Sequence, residues 1–384
     1  MISNIILEGN CIEILKKLEC NTIDLVYLDP PFFTQKNHSL TDCKNNKYSF
    51  SDKFNDLNEY LHMIKNALIE CKRVLKDTGS IFLHCDKTAS HHLRVIMDEV
   101  LENKNFQSEI IWTYKRWSNS KKGLLSSHQT IFFYSISSNF QFHNLYTNYS
   151  ETTNIDQILQ ERQRTKNGKT TYKKNDDGDI VQVKQKRGVP LSDVWEIPFL
   201  NPKAKERVGY PTQKPVSLLE QIIKIASCEG DTVLDPFCGS GTTCIAAKLL
   251  NRNYIGIDIS SEAVKLANKR LEAMIITESK LLAIGKEAYI EKSDLELAIL
   301  KSINAIPVQR NTLIDGFLPN GLAPVRIQKK HETVSDSLVL LDEYLVKKKL
   351  NLGILIQTTE NDIKPLFEFN SNRVKIIKNL ELQI

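Results

Sequence analysis

The run Ile23-Asp24-Leu25-Val26-Tyr27-Leu28-Asp29-Pro30-Pro31-Phe32 decides how the rest of the chain is read. Its first six residues are apolar or aromatic but for one acid. That is too short for a helix and dense enough for a strand buried within a parallel sheet. Two prolines then remove two backbone donors in succession, so the ladder ends at Leu28. In open α/β sheets the ligand crevice lies beyond the carboxyl ends of the strands, which puts Asp29 at its lip, on a backbone stiffened by Pro30 and Pro31. Phe32 follows at once. An acceptor-only carboxylate beside a ring suits a planar base, which the ring can stack against while the acid receives hydrogens from an exocyclic amino group. Asp-Pro pairs also form ordinary turns, and the tetrapeptide alone leaves both readings open.

Working outward, residues 5–28 read as strand, a helix over 11–18, then the strand that feeds Asp29. Residues 33–54 are rich in Asn, Ser, Lys and Asp without periodicity, and are expected to form a mobile loop beside the site. Leu61, Ile64, Leu68, Cys71 and Leu75 make a helical stripe over 57–75, with Asp77-Thr78-Gly79 as its stop. A strand over 80–85, ending at Asp86, a helix over 90–101 and a strand over 109–114 follow. His84 and Asp86 end a strand next to the site, although a strand-terminal His is more often structural.

Residues 115–210 change character: apolar periodicity survives only over 130–136, and 16 Lys or Arg stand against 9 Asp or Glu, a larger excess than the +5 of the whole chain. The run from Arg162 to Lys174 interleaves cations with amides and hydroxyls, a mixture able to contact phosphates and base edges, or simply a solvated loop. After Gly209-Tyr210-Pro211-Thr212-Gln213-Lys214-Pro215 a helix is expected over 216–227. Then comes Thr232-Val233-Leu234-Asp235-Pro236-Phe237-Cys238-Gly239-Ser240-Gly241-Thr242-Thr243, a strand, a glycine-bearing turn and a helix with hydroxyls at its start. The next strand, over 254–257, ends in Asp258, about 20 residues past the glycines, where an acid would hold a ribose diol. This spacing describes a nucleoside cofactor site. A helix over 261–276 closes the unit, and the remainder reads as a small α/β appendage in which Asp315, Gln328 and Lys330 match nuclease spacing only by chance.

At 384 residues the chain has room for a doubly wound domain and a smaller unit, and its 25% charged content is ordinary for a soluble globular protein. No apolar run approaches the roughly 18 residues of a membrane span. The amino terminus meets Glu8 without a basic region, so a strand is expected there and not a signal peptide. Eight scattered cysteines fit reduced thiols in a cytosol. A pI near 8.6 permits a polyanionic partner.

Asp29-Pro30-Pro31-Phe32 resembles the catalytic loop of S-adenosylmethionine-dependent DNA amino-methyltransferases, and Asp235-Pro236-Phe237-Cys238-Gly239-Ser240-Gly241 resembles their cofactor loop. Catalytic motif first, variable middle second and cofactor motif last is similar to the beta class, of restriction-modification type, whose sheet is circularly permuted. The segment from Gly209 to Pro215 is similar to the one preceding the cofactor loop there, with Tyr210 where His is frequent. The resemblance spans residues 5–276. It implies a circularly permuted Rossmann-like α/β methyltransferase sheet, with a catalytic half (1–114), a variable DNA-recognition insert (115–206), a cofactor-binding half (207–280) and a small α/β C-terminal appendage of unread role (281–384).

The chemistry it implies is methyl transfer from S-adenosylmethionine to an exocyclic amino group of a base flipped out of duplex DNA. Asp29 and a backbone carbonyl near Pro30 would accept the two amino hydrogens and aim the nitrogen lone pair, while Phe32 stacks on the base. Phe237, Gly239 and Gly241, with Asp235 and Thr242, would shape the cofactor pocket. Asp258 would take the ribose hydroxyls, and Thr212 and Lys214 would lie near the methionine carboxylate. Lys115, Arg116, Arg162, Arg164, Lys173 and Lys174 are the expected DNA contacts. Cys238 lacks the Pro-Cys context of a carbon-5 nucleophile. Family members acting on adenine usually carry Asp first and those acting on cytosine N4 more often Ser, so Asp29 favours N6-adenine, with N4-cytosine the alternative. Methylation of RNA or protein, and a catalytically idle nucleic-acid-binding protein, are the rivals. A cognate restriction endonuclease, a homodimer and a cytoplasmic setting complete the expectations, with no metal and no membrane.

Overall fold

The structure, a computed structural model, describes residues 3–41, 47–114, 122–147, 160–165, 167–181, 188–200, 204, 206–274, 292–309, 311–319, 323–359 and 373–378. The chain divides into two units, Met1–Leu282 and Ala283–Ile384.

In the first unit an eight-stranded sheet runs in the order Ile5–Glu8, Asn253–Asp258, Thr232–Asp235, Ile23–Leu28, Leu75–Cys85, His128–Ser135, Phe106–Thr113, Val194–Glu196. Neighbours pair in parallel except at His128–Ser135, which is antiparallel to both its flanks, so the fold is mixed α/β around a large mixed sheet. Ile23–Leu28 is buried at every residue. Its alternation divides it between two cores: Leu25 and Tyr27 pack with the helices Val216–Ala226 and Thr242–Leu249, and Val26 and Leu28 with the helices Leu57–Val74 and Ser90–Leu101. Each fully buried side chain of this size contributes roughly 1.5–3 kcal/mol. The one acid of the strand, Asp24, is buried but fully paired. Its Oδ1 lies 2.7 Å from Lys76 Nζ, and its Oδ2 accepts the Thr232 N–H at 2.9 Å, tying this strand to the one that carries the glycine loop.

Two local expectations are corrected. The helix Leu57–Val74 does not stop at Asp77-Thr78-Gly79; the strand Leu75–Cys85 begins at once and runs through those residues. Gly79 serves close approach there, since a Cβ would meet Lys76 O at 2.9 Å and Asp24 O at 3.1 Å. Residues 33–54 are not a featureless loop: Asn37–Thr41 and Lys47–Ser51 pair antiparallel. A backbone ladder needs no apolar side-chain period, which is why composition concealed it. From the basic middle, His128–Ser135 and Val194–Glu196 join the main sheet, while Arg162–Arg164 and Thr170–Tyr172 form an exposed hairpin.

The second unit holds a five-stranded sheet, Ile306–Pro307, Gly316–Phe317, Pro324–Ile327, Gly353–Gln357 and Val374–Lys378, with helices Asp294–Ser302 and Val334–Lys348. Asp315 is buried there with Oδ1 shared by Lys292 (2.6 Å) and Lys329 (2.9 Å) and Oδ2 accepting the Ile327 N–H at 2.7 Å, the arrangement of a structural acid. Among the described residues no helix is long and apolar enough to cross a membrane.

Candidate active site

A cavity of about 450 Å³ opens at the carboxyl ends of Ile23–Leu28, Thr232–Asp235 and Asn253–Asp258, where strand-end loops converge. Asp29, Pro30, Pro31, Phe32, Thr212, Lys214, Asp235, Phe237, Gly239, Thr242 and Asp258 all line it. Gly241 does not. It starts the helix Thr242–Leu249 at φ +76°, and a Cβ would stand 2.7 Å from the Ala267 Cβ, so glycine is needed for conformation and for space.

The two oxygens of Asp29 differ. Oδ2 accepts a hydrogen bond from Lys214 Nζ in an ion pair. Among the described residues, Oδ1 is buried without a hydrogen-bond partner, 3.7 Å from His84 Nδ1. Burial raises the Asp29 carboxyl above the ordinary range, against the opposing pull of the Lys214 cation. His84 is wholly buried behind it. Its Nε2 faces Gln129 Oε1 at 2.9 Å, which makes Nε2 the protonated nitrogen and Nδ1 the acceptor for Tyr27 Oη at 2.7 Å. Burial first, and then the Lys214 charge, hold this imidazole well below its usual pKa, so it is neutral. Asp86 instead ties its own turn, accepting the Thr88 N–H at 2.8 Å.

Beyond Phe32 the backbone is strained, with Phe33 and Gln35 both at φ +57°. The hairpin's return strap holds it. Gln35 exchanges side-chain hydrogen bonds with both backbone groups of Phe54, Thr34 Oγ1 donates to Asp52 Oδ2 at 2.8 Å, and the Phe33 ring stacks on Tyr60 at 5.4 Å. Asp52, buried and on the cavity wall, carried no signal in the sequence.

The cofactor-side loop is held by its own acids. Asp235 accepts the Phe237 N–H at 3.0 Å and the Thr243 hydroxyl at 2.5 Å, while burial pushes it up to about 7. Asp258 accepts the Gly239 N–H and the Ser260 N–H, each at 2.8 Å. Gly239, at φ +50°, lies over the Tyr210 ring, which a Cβ would approach to 3.0 Å. Arg270, buried, donates to the Ser240 carbonyl at 2.6 Å and to Thr242 Oγ1 at 3.2 Å; burial lowers it only to about 10, so it is charged at neutral pH. In the sequence it looks like a surface cation of an amphipathic helix. A turn of glycines with an acid at the next strand end, in a cavity of this size, fits a nucleoside cofactor.

Of the basic candidates, Arg162, Arg164, Lys173 and Lys174 are not among the residues that line the cavity. Lys115 and Arg116 are outside the described residues. Arg162 and Arg164 are exposed on the hairpin, with the Arg162 guanidinium 5.5 Å from the centre of the Tyr172 ring. Lys173 is paired with Glu161 at 3.1 Å, and Lys174 bridges to Ile180.

A protein-family model described as a DNA methylase of the N6/N4 methyltransferase type matches residues 23–269. The type II methyltransferase M.HinfI of Haemophilus influenzae is 33% identical over 99% of this chain and 96% of its own length. M.HpaI of Haemophilus parainfluenzae, also named a type II methyltransferase, is 33% identical over 69% of this chain and 73% of its own. The DNA adenine methyltransferase YhdJ of Escherichia coli is 30% identical over 70% and 82%.

Proposed function

Since the chain belongs to the N6/N4 family of DNA methylases and is therefore an S-adenosylmethionine-dependent DNA methyltransferase, we propose that it acts on the N6 amino group of adenine flipped out of duplex DNA. The observation that carries the chemistry is Asp29: one oxygen anchored by Lys214, the other buried with no partner among the described residues, beside Phe32 at the cavity wall. When bound, the cofactor supplies an electrophilic methyl group. Asp29 Oδ1 and the carbonyl of Pro30 accept the two amino hydrogens, so that the nitrogen lone pair is drawn out of the ring. Phe32 stacks on the base, a contact worth on the order of 1–3 kcal/mol. Asp258 and the backbone of the loop at Phe237, Gly239 and Gly241 hold the nucleoside end of the cofactor, with Thr212 at its other end, and Asp235 and Thr242 keep that loop in shape.

The likeness to a relative named a DNA adenine methyltransferase supports adenine over cytosine. The sheet order supports a circular permutation: the strand carrying the glycine loop sits beside Ile23–Leu28 yet follows it by some two hundred residues. The hairpin at Arg162 to Lys174, which lies outside the main sheet, supports reading that part of the basic middle as a DNA-recognition insert. A cytoplasmic enzyme, acting as a homodimer or beside a cognate restriction endonuclease, is the setting this reading takes. Nucleoside mass spectrometry of duplex DNA methylated in vitro tests it. N6-methyladenine is the expected product; N4-methylcytosine without it would overturn the choice of base and leave the amino-group chemistry standing.

A further inference from the structure

We infer that Lys214 is a positioning residue for the catalytic acid: its ammonium takes one oxygen of Asp29 and so turns the other toward the incoming amino hydrogen. This rests on the reading of Asp29 given above. The motif around Lys214 implies a different task, gripping the cofactor's methionine carboxylate, and the two assignments separate experimentally.

Lys214 and Asp29 are 185 positions apart in the chain, and the fold brings them together with little solvent, their side chains 6% and 18% exposed. The ammonium also stands 3.5 Å from the Thr212 carbonyl and 5.1 Å from the centre of the Phe32 ring, so one cation joins the loop at Gly209 to Pro215 with the catalytic loop. Among the described residues it is the one Lys or Arg on the cavity wall. The other titratable groups near Asp29 cannot replace it. His84 is neutral, and its nearer nitrogen already accepts from Tyr27; Tyr27 donates to that imidazole; Asp52, on the same wall, carries the same charge as Asp29. Burial alone favours a protonated Asp29, which would present a donor where two acceptors are needed, and the Lys214 cation opposes that protonation.

The test uses the full chain with Lys214→Met and Lys214→Arg. Cofactor affinity is measured by calorimetry without DNA, single-turnover methylation of a duplex is followed against pH, and the Asp29 carboxyl carbon is titrated by 13C NMR, assigned by its loss in Asp29→Asn. We expect Lys214→Met to bind S-adenosylmethionine within about threefold of the parent. Transfer at neutral pH should fall by about 100-fold, with the acid limb of the rate profile and the Asp29 titration both moved to higher pH. Lys214→Arg should recover to within about tenfold of the parent, because it keeps the charge. A Lys214→Met protein with cofactor affinity weakened about tenfold or more, an unmoved acid limb and an unmoved Asp29 titration would assign Lys214 to the cofactor and overturn the inference. If that variant does not fold, Lys214→Gln takes the same measurements. A parent chain that methylates no DNA would defeat the proposed function, and the carboxyl titration would still decide this inference.

Discussion

In the proposed mechanism Asp29 acts through Oδ1, which has no hydrogen-bond partner among the described residues, while its Oδ2 is bonded to Lys214 and not to the glycine loop. Asp29→Ala should therefore abolish methyl transfer while S-adenosylmethionine affinity stays within a few fold, and near-normal turnover would remove it from the mechanism. Asp235 works differently. Burial raises it to about 7, so between its ordinary value near 4 and pH 7 the folded chain holds a proton that the unfolded chain has released. Its contribution to stability is complete below that window and is lost as the pH rises through it. Thermal melts from about pH 4.5 to 7.5 should show this decline flattened in Asp235→Asn; an unchanged slope would place the titration elsewhere. Gly241→Ala should cost about 1–3 kcal/mol, read by denaturant melts, since both the positive φ and the Ala267 contact oppose a methyl group.

At the scale of elements the exposed hairpin gives the sharpest expectation. Its register sets Arg164 opposite Thr170 and Arg162 opposite Tyr172, so alternation puts these four and Lys174 on one face, and Lys173 on the other beside Glu161. Removing Arg164 and Lys174 should lower the salt slope of DNA binding by up to about 0.9 for each lost phosphate contact, whereas Lys173→Ala should leave it nearly unchanged. Equal effects from all three would mean that the face does not matter. Elements with dense apolar runs, such as Ile23–Leu28 and Thr232–Asp235, were legible in the sequence because burial on two faces keeps their centres apolar, the few polar residues being paired. Asn37–Thr41 and Lys47–Ser51 were not, since their pairing rests on backbone hydrogen bonds. The cavity residues at the three strand ends could be named from their motifs. Their mutual contacts could not: Lys214 on Asp29 and Arg270 on the Ser240 carbonyl are products of sheet order, which no local window of sequence contains.

For the whole molecule, the division at Leu282 leaves the cavity, and the cofactor site proposed in it, within one unit. Calorimetry should resolve two unfolding transitions, with S-adenosylmethionine raising one and leaving the other in place; a single transition that moves as a whole would show the units to unfold together. The clasp between Asp24 and the Thr232 N–H, made across 208 positions, also sets a timetable for biosynthesis. At about 5–20 residues per second, the strand Ile23–Leu28 leaves the ribosome roughly 10–40 s before the neighbour that completes it. During that interval one edge of the most apolar strand in the sheet is unpaired, an opening for association with other nascent chains or for capture by a chaperone. No nascent chain ending short of Asp235 can form the cavity, so a polypeptide released early from translation is expected to be inert toward the host's own DNA.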